Sequence, residues 1–337
     1  MHSACSTRRQ LGLSVLIRSG KPERYRLAIS KVFRFQDLRS SILHHPIETE
    51  HNPYQGYIMT KYFVYDVFTD SRFGGNPLAI IPDAADVPEG DFQRIAREFN
   101  FSETTFVLPP DNPDHTAKIR IFSPLSELPF AGHPTIGTAI ALARQGLGPH
   151  MTLELGVGPI TCHATKQSAR FSTQVPLKIL VEPQVADVAD VLGLTVSDIV
   201  LHTHRPTTAT LGIQFTITEV RDRTTLSSAK PNIEALRRFA TKYPHAGRFA
   251  QHVYTRGDGV IFARMFDPLD NIPEDAATGS AAATLGALLV KCTSAPQEFI
   301  IRQGDDMGRP SCIEVDAKVE QVTIGGSAVA VMEGQLL

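Results

Sequence analysis

The stretch I-R-I-F-S-P-L-S-E-L-P-F-A-G-H-P-T-I-G-T-A-I-A-L, at 119–142, decides how the rest of the chain is interpreted. Its pattern predicts a strand, a loop punctuated by proline, and a helix that opens near His133. The first amides of a helix have no partner within it, and the helix dipole adds positive charge there. The loop therefore delivers a histidine to a place that attracts anions.

The chain repeats this stretch 144 residues later, as A-R-M-F-D-P-L-D-N-I-P-E-D-A-A-T-G-S-A-A-A-T-L-G-A-L at 263–288. The second copy predicts a helix that opens near 278–280, with an acid, Asp275, just before it. Identical residues at this offset span the strand, the loop and the helix: Arg120 with Arg264, Phe122 with Phe266, Pro124 with Pro268, Leu125 with Leu269, Pro129 with Pro273 and Ala139 with Ala283. Matches spread over three elements favour internal duplication over chance.

The duplication predicts an α+β fold of two pseudo-symmetric lobes, each presenting one helix start at the end of a Pro-rich loop. The helix predicted at 279–290 is so rich in Ala and Leu that burial on nearly all sides is expected. Because short strand-like runs surround it, each lobe is predicted to be a barrel-like, mostly antiparallel sheet wrapped around a central helix. If the lobes face each other, the helix starts meet in one cleft, a preferred place for small-molecule sites.

We place lobe 1 at 59–177 and lobe 2 at 178–321, with the option that a last strand in 322–337 returns to lobe 1. Residues 1–58 differ in composition, with nine Lys/Arg against four acids. A targeting peptide is one interpretation of this basic leader. Its apolar run at 11–17 is short and is interrupted by Arg18, so we favour a disordered N-terminal extension ahead of a start at Met59.

The composition is that of a soluble globular protein: 337 residues, 42% hydrophobic and 20% charged, with a formal net charge of -2. The absence of a basic stripe argues against nucleic-acid binding, and no apolar run is long enough for a membrane span. The four cysteines lie far apart without a C-x-x-C pair. This pattern predicts reduced thiols and a cytoplasmic protein, not a disulfide or zinc framework.

Other patterns carry little information alone. His202 and His204 lie on one face of a possible strand, but no third ligand is signalled, so surface histidines are expected and no metal site. The sequence has no G-x-G-x-x-G, Walker or G-x-S-x-G motif, which argues against nucleotide binding and esterase chemistry. Ser280 lacks a flanking base and suits an anion ligand better than a nucleophile. Glu103, at the start of a predicted strand, is by itself interpreted as a solvated loop-edge residue.

Several strings of the sequence resemble the PhzF-type phenazine biosynthesis proteins. They are D-V-F-T at 66–69, G-N-P-L-A at 75–79, S-E-T-T-F-V-L-P-P at 102–110, E-L-P-F-A-G-H-P-T-I-G-T-A at 127–139, E-D-A-A-T-G-S-A at 274–281, Q-G-D-D-M-G-R-P-S at 303–311 and G-G-S-A-V at 325–329. The likeness runs from about residue 61 to 337 and implies the diaminopimelate-epimerase-like fold, with two pseudo-symmetric lobes each rolled around a central helix. The internal repeat suggests that architecture independently.

The resemblance also implies the chemistry. Epimerases and racemases of this fold place a cysteine at each central helix start; here 131–135 and 276–280 contain none, which disfavours two-thiol racemisation. PhzF-like proteins rely instead on the glutamate of S-E-T-T-F, which corresponds to Glu103, as the acid/base that moves a proton between two carbons. The corresponding substrate-binding residues are His133, Asp275, Gly279 and Ser280. Ala276 departs from the family, where proline is usual, and a looser loop around Asp275 is expected.

The sequence therefore predicts an isomerase that needs no cofactor or metal and acts on a small carboxylate-bearing, cyclic, unsaturated metabolite. The resemblance adds a homodimer. Burial and a nearby Asp275 would raise the pKa of Glu103, as removal of a proton from carbon requires, and the two helix starts would bind the carboxylate. A non-catalytic binding or scaffold protein on the same fold, and a racemase or epimerase, remain as alternatives, and the substrate is left open.

Overall fold

A computed structural model describes residues 59–257 and 259–337. The expected disordered extension at 1–58 lies outside the described residues. Within the described part, two lobes share one continuous hydrophobic core, which contains residues of both central helices. In the same part of the chain, no helix is long and apolar enough to cross a membrane.

Lobe 1 is a closed ring of strands around one helix. Its elements are β1 (Thr60–Val67), β2 (Asn76–Ile81), α1 (Glu89–Phe99), β3 (Glu103–Leu108), β4 (Ala117–Phe122), β5 (Glu127–Leu128), α2 (Gly132–Arg144), β6 (His150–Leu155), β7 (Gly158–Ala164) and β8 (Ser168–Thr173), completed by the last strand of the chain, β17 (Gln321–Leu336). The ring runs β17-β1-β2-β3-β4-β6-β7-β8 and back to β17. Only the pairs β2–β3 and β4–β6 of this ring are parallel.

Lobe 2 repeats the arrangement. Its elements are β9 (Lys178–Val181), α3 (Val185–Leu192), β10 (Thr207–Thr210), β11 (Gln214–Glu219), α4 (Arg223–Ser228), α5 (Ile233–Lys242), β12 (Gln251–Arg256), β13 (Val260–Asp267), β14 (Ile272–Asp275), α6 (Gly279–Thr293), β15 (Gln297–Gln303) and β16 (Ser311–Lys318). The order is β9-β10-β11-β12-β13-β15-β16-β17, with the equivalent pairs β11–β12 and β13–β15 parallel. Among the described strands no pairing joins β9 to β17, so this ring has an open seam.

The central helices are buried as predicted. Every residue of α2 from 132 to 143 is buried, as are most residues of α6. The outer helices are amphipathic instead: α1 packs Phe92 and Ala96 against lobe 1, and α5 packs Leu236 and Phe239 against lobe 2. The two-lobed, mostly antiparallel α+β architecture predicted from the repeat is confirmed.

The repeat changes register between its strand and its helix. Phe122 pairs with Thr104 and Phe266 pairs with Gln251, so β4 and β13 correspond at the predicted offset of 144. The helices begin at Gly132 and Gly279, an offset of 147. The additional residues lie in the lobe 2 loop, which contains a short 3-10 turn, Pro268–Asp270. The predicted match of Ala139 with Ala283 is therefore three residues out of register.

The last strand belongs to both lobes. The first part of β17 lies between β16 of lobe 2 and β8 of lobe 1, and the part from residue 328 to 336 pairs with β1. The end of the chain thus returns to lobe 1. The boundary at 177/178 falls between β8 and β9 and stays a prediction.

Candidate active site

The two central helices meet end to end. A Cβ atom added at Gly132 would lie 3.1 Å from the Cα atom of Gly279 and from the amide nitrogen of Ser280, so the close approach favours glycine. In the part of the chain that the structure describes, neither cap residue, Ala131 nor Thr278, accepts a hydrogen bond from its own helix through its side chain. The first amides of both helices lie close together, and two dipoles add positive potential at one place.

Glu103, the first residue of β3, lies against the start of α2. Its Oε2 atom is 3.3 Å from Nε2 of His133, although the two groups are not aligned as a hydrogen bond. Burial, and then the negative charge of Asp275, raise the pKa of Glu103 well above the usual glutamate value; the neighbouring Ser102 side chain and the charge of Arg248 oppose this rise. Such a carboxyl group can give up and take back a proton near neutral pH.

His133 is a neutral partner for this glutamate. Its side chain is 4% exposed, and burial lowers its pKa to about 3. Its Nδ1 atom is 3.4 Å from the side-chain nitrogen of Asn76. An amide nitrogen only donates, so the network assigns the acceptor role to Nδ1 and the ring hydrogen to Nε2, on the side of Glu103.

Asp275 is the lobe 2 acid of the site. It accepts hydrogen bonds from Asn76 (2.7 Å) and from the Thr278 hydroxyl (2.5 Å), while Gln303 donates to its backbone carbonyl. Burial raises the pKa of Asp275, whereas the bonds from Thr278 and Asn76, the charge of Arg248 and the backbone N–H of Ala276 lower it. This last donor would be absent from a proline at position 276.

Asn76 links the lobes at this point, and it was not predicted from the sequence as a site residue. Its Nδ2 group donates to Asp275 and to the carbonyl of Ala277, and its Oδ1 atom accepts from Ser102 at 3.0 Å. The signal available in the sequence was the G-N-P-L-A string, which contributed only to the family resemblance. Asn76 fixes Asp275, from the other lobe, next to the start of α2.

Two arginines also tie parts of the site together. Arg248 lines the cavity and forms ion pairs with Asp267, which is 1% exposed, and with Asp270. Arg309 of lobe 2 donates to Asp66 of lobe 1 at 2.6 Å and to the carbonyls of Gly74 and Gly75, just before Asn76. No sequence motif marked Arg248, because its ion-pair partners, Asp267 and Asp270, lie outside its own segment of the chain.

The five predicted site residues line one small cavity of about 30 Å³: Glu103, His133, Asp275, Gly279 and Ser280. Two larger chambers adjoin it. A chamber of about 450 Å³ shares Arg248, Ile272 and Asp275 with the cavity, and a groove of about 680 Å³ shares Ile213 and Ser280. The structure thus brings the predicted residues together, and their roles stay predictions.

The remaining candidates lie elsewhere. His202 is exposed, but His204 is buried and hydrogen-bonded to the Arg205 carbonyl and the Tyr254 hydroxyl, so its expected surface position was wrong. Within 59–257 and 259–337 no group of three or more His, Cys, Asp or Glu side chains could hold a metal ion. Cys162, Cys292 and Cys312 do not line the cavity.

Comparison with known proteins gives the same family by sequence and by structure. A family model described as "Phenazine biosynthesis-like protein" matches residues 65–334. The chain is 36% identical to an uncharacterised isomerase of Mesorhizobium japonicum, over 82% of this chain and 98% of that protein. It is 34% identical to the trans-2,3-dihydro-3-hydroxyanthranilate isomerase of Pseudomonas aeruginosa, over 82% of this chain and 99% of the relative.

The solved structures agree. A Bacillus anthracis phenazine biosynthesis protein of the PhzF family superposes with a TM-score of 0.73 at 25% identity, covering 83% of this chain and 100% of that one. A hydroxyproline epimerase from Agrobacterium vitis superposes with a TM-score of 0.56 at 15% identity, covering 82% and 92%. The second likeness shows the fold alone.

Proposed function

This chain belongs to the phenazine biosynthesis-like protein family, and from that premise we propose that it is a cofactor-independent isomerase that moves a proton between two carbons of a small carboxylic acid. The observation that carries the proposal is the position of Glu103. One buried carboxyl group faces a neutral imidazole at 3.3 Å, beside two abutting helix starts and a second acid. Carbon acids need a base of raised pKa and a place for the developing negative charge.

Glu103 acts as both base and acid. Its carboxylate removes a proton from one carbon, the C–H electron pair enters the conjugated system, and the neutral carboxyl group then returns the proton to a second carbon. One C–H bond breaks and one forms, so no electron donor or acceptor takes part. A single glutamate suffices because the proton leaves and returns on the same face of the substrate.

The helix starts hold the carboxylate. The amides of Gly132, His133, Gly279 and Ser280 lie at the positive ends of two dipoles, where an anion is stabilised. As the proton leaves, negative charge spreads from the carbon toward this carboxylate. The same amides therefore bind the transition state more strongly than the substrate, which is what lowers the barrier.

Asp275 and His133 position the substrate's hydroxyl or amino group. Asp275 is held by Asn76 and Thr278, so it has a fixed direction and an acceptor role. The substrate class is a small, cyclic, unsaturated acid with such a neighbouring group. Trans-2,3-dihydro-3-hydroxyanthranilate, the compound for which the Pseudomonas aeruginosa relative is named, is the first candidate.

A cytoplasmic homodimer completes the proposal. The family resemblance supports the homodimer. The separated cysteines, Cys5, Cys162, Cys292 and Cys312, support the cytoplasmic location. Light scattering of the purified protein should give twice the monomer mass, and a monomer mass at working concentration would contradict the dimer.

The test uses heavy water. Wild-type protein incubated with trans-2,3-dihydro-3-hydroxyanthranilate should isomerise it, and deuterium should enter the product carbon to the extent that the Glu103 carboxyl exchanges its proton with solvent before returning it. Glu103→Gln keeps the size of the side chain but cannot take the proton, so the rate should fall at least ~100-fold, the lower end for loss of a general base.

Ser280→Ala is the matched control. It removes one contact to the carboxylate and should chiefly raise KM while leaving kcat within a small factor. Full activity of Glu103→Gln, together with loss of activity in Asp275→Asn, would assign the base to Asp275 and overturn the role of Glu103 as proton carrier.

A further inference from the structure

The cavity that contains Glu103 is too small for the acid that the chemistry needs. Its volume of about 30 Å³ is roughly the share of one water molecule, whereas ligand pockets hold about 300–1,000 Å³. A ring placed between Glu103 and the helix starts must therefore extend into an adjoining space. Two such spaces exist, and their chemistry differs.

The chamber of about 450 Å³ is charged. Its lining includes five ionisable side chains: Arg248, Asp270, Glu274, Asp275 and Arg309. The groove of about 680 Å³ has no charged side chain in its lining. The two spaces adjoin the cavity through different residues, the charged chamber at Asp275 and the groove at Ser280. The polar part of a ligand would thus lie in the charged chamber and its apolar part in the groove.

The groove begins where the carboxylate would bind. Ser280, Ala283 and Thr284 lie on one face of α6 and line the groove. At 1.5 Å per residue they extend about 6 Å along the helix. The Thr284 hydroxyl donates to the Ser280 carbonyl, so its hydrogen is not free to bond a ligand in the groove. A ligand anchored at Ser280 can lie along it.

Both lobes supply the walls. Phe130 and Phe171 of lobe 1 stack edge to face with ring centroids 5.5 Å apart, and Leu211 and Ile213 of lobe 2 lie in the β10–β11 turn region. The groove also contains Gln321, the first residue of β17. This residue places one end of the groove beside the seam of lobe 2, where the described strands β9 and β17 are not paired. The pair β8 and β17 closes the equivalent place in lobe 1.

We propose that this groove is a substrate subsite for an uncharged, apolar extension of the acid, about the size of one additional ring. The inference rests on the proposed function for the position of the carboxylate. The enzyme accordingly accepts single-ring acids and binds acids with a larger apolar side more tightly. Charged or strongly polar substituents belong on the opposite side, toward Asp275.

The chain contains no tryptophan, so single-tryptophan variants report on each space separately. Val157→Trp places the reporter at the rim of the groove, and Leu125→Trp places it at the rim of the charged chamber; both native side chains are more than half exposed. Titration with 2-naphthoate should change the emission of Val157→Trp and leave that of Leu125→Trp unchanged. The reverse pattern, or a change in neither, would overturn the subsite.

Affinity gives a second measurement. By calorimetry, wild-type protein should bind 2-naphthoate at least ~10-fold more tightly than benzoate, since the additional ring buries apolar surface. Leu211→Asp should remove this preference without weakening benzoate, and Leu211→Asn should largely keep it. Equal affinities for the two acids in the wild type would contradict the proposal.

The subsite and the isomerase activity can fail separately. Glu103→Gln should retain the preference for 2-naphthoate, because the groove takes no part in proton transfer. A preference without any isomerisation would remove the proposed function and keep the subsite. Isomerisation of single-ring acids without a preference would remove the subsite alone.

Discussion

The two lobes share their strand pairings but carry different side chains at equivalent positions. Strand register and helix starts define three such pairs, lobe 1 first: Glu103 and Ala250, His133 and Ser280, Leu128 and Asp275. Lobe 1 thus supplies the glutamate, which is the proposed proton carrier, and the imidazole. Lobe 2 supplies the second acid and the hydroxyl, and it has an alanine where lobe 1 has the glutamate.

The shared part is the backbone. Both lobes present a glycine and free amides at a helix start, so the capacity to hold an anion is doubled. The proton carrier is not doubled. A reaction that inverts a carbon centre needs a group on each face of the substrate, whereas a proton shift on one face needs a single group. The asymmetry between Glu103 and Ala250 therefore favours isomerisation over racemisation.

The largest expected effect after loss of Glu103 comes from the lobe 2 acid. Asp275→Asn should lower kcat about tenfold, as removal of a charged hydrogen-bonding group does. Asp275 raises the pKa of Glu103. Without that charge the pKa falls, so the pH at which the rate rises should move to a lower value. An unshifted pH profile of kcat would show that the two acids do not interact.

The helix starts offer a second test of the symmetry. A Cβ at Gly132 meets backbone atoms of the other helix at 3.1 Å. A Cβ at Gly279 meets the buried ring of Phe68 at 3.1 Å, and the Cα of Gly132 only at 3.5 Å. Gly132→Ala should therefore cost about 1–3 kcal/mol of unfolding free energy. Gly279→Ala should cost less, because its Cβ does not press on the backbone of the other helix at so short a distance.

Denaturant unfolding of both variants measures this difference, and the KM for the acid should rise more in Gly132→Ala. Equal losses of unfolding free energy in the two variants would mean that both helix starts tolerate a Cβ atom equally well, and that the contact is symmetric.

The smallest effect is expected at the cation of lobe 2. Arg248 lowers the pKa of Glu103, so Arg248→Gln should raise that pKa and move the acid limb of kcat to higher pH. Asp270→Asn removes a negative charge that partly neutralises Arg248, so the pKa of Glu103 should fall and the acid limb of kcat should move to lower pH. Arg248→Lys keeps the charge and serves as the control. Shifts in the same direction for both substitutions would point to a general loss of structure.

Much of the fold could be predicted from the repeat, because burial of a central helix imposes the same apolar pattern on both copies. The start of α6 near 278–280 was predicted correctly from the second copy of the repeat, since the helix begins at Gly279. The register of α6 relative to α2 was not predicted, because the loop with the turn Pro268–Asp270 carries additional residues that no periodicity reveals.

The last strand, predicted within 322–337, contains two adjacent glycines. Gly325 and Gly326 do not interrupt it, since β17 runs through both. A Cβ at Gly326 would lie 2.4 Å from the Phe68 ring, so the residue serves close packing and not a turn.

The site could be predicted only in part. The resemblance supplied Glu103, His133, Asp275, Gly279 and Ser280, which the cavity brings together. Asn76 and Arg248 were missed because no local pattern links them to the site: Asn76 bonds a residue 199 positions away, and Arg248 acts on Glu103 of the other lobe through its charge. Such pairings depend on how the lobes dock, which local patterns do not encode.

The sharing of β17 has a consequence for how the chain is made. The first described strand, β1, pairs along its whole length with residues 328–336 of β17, which are synthesised only after all of lobe 2. Lobe 1 cannot close its ring during synthesis, although its other strands are complete by residue 173. An unpaired β1 edge must wait through the synthesis of all of lobe 2, exposed to pairing with other chains. Translation speed and chaperone supply should therefore limit the yield of folded protein, and deletion of residues 328–337 should disrupt lobe 1, which is synthesised before lobe 2.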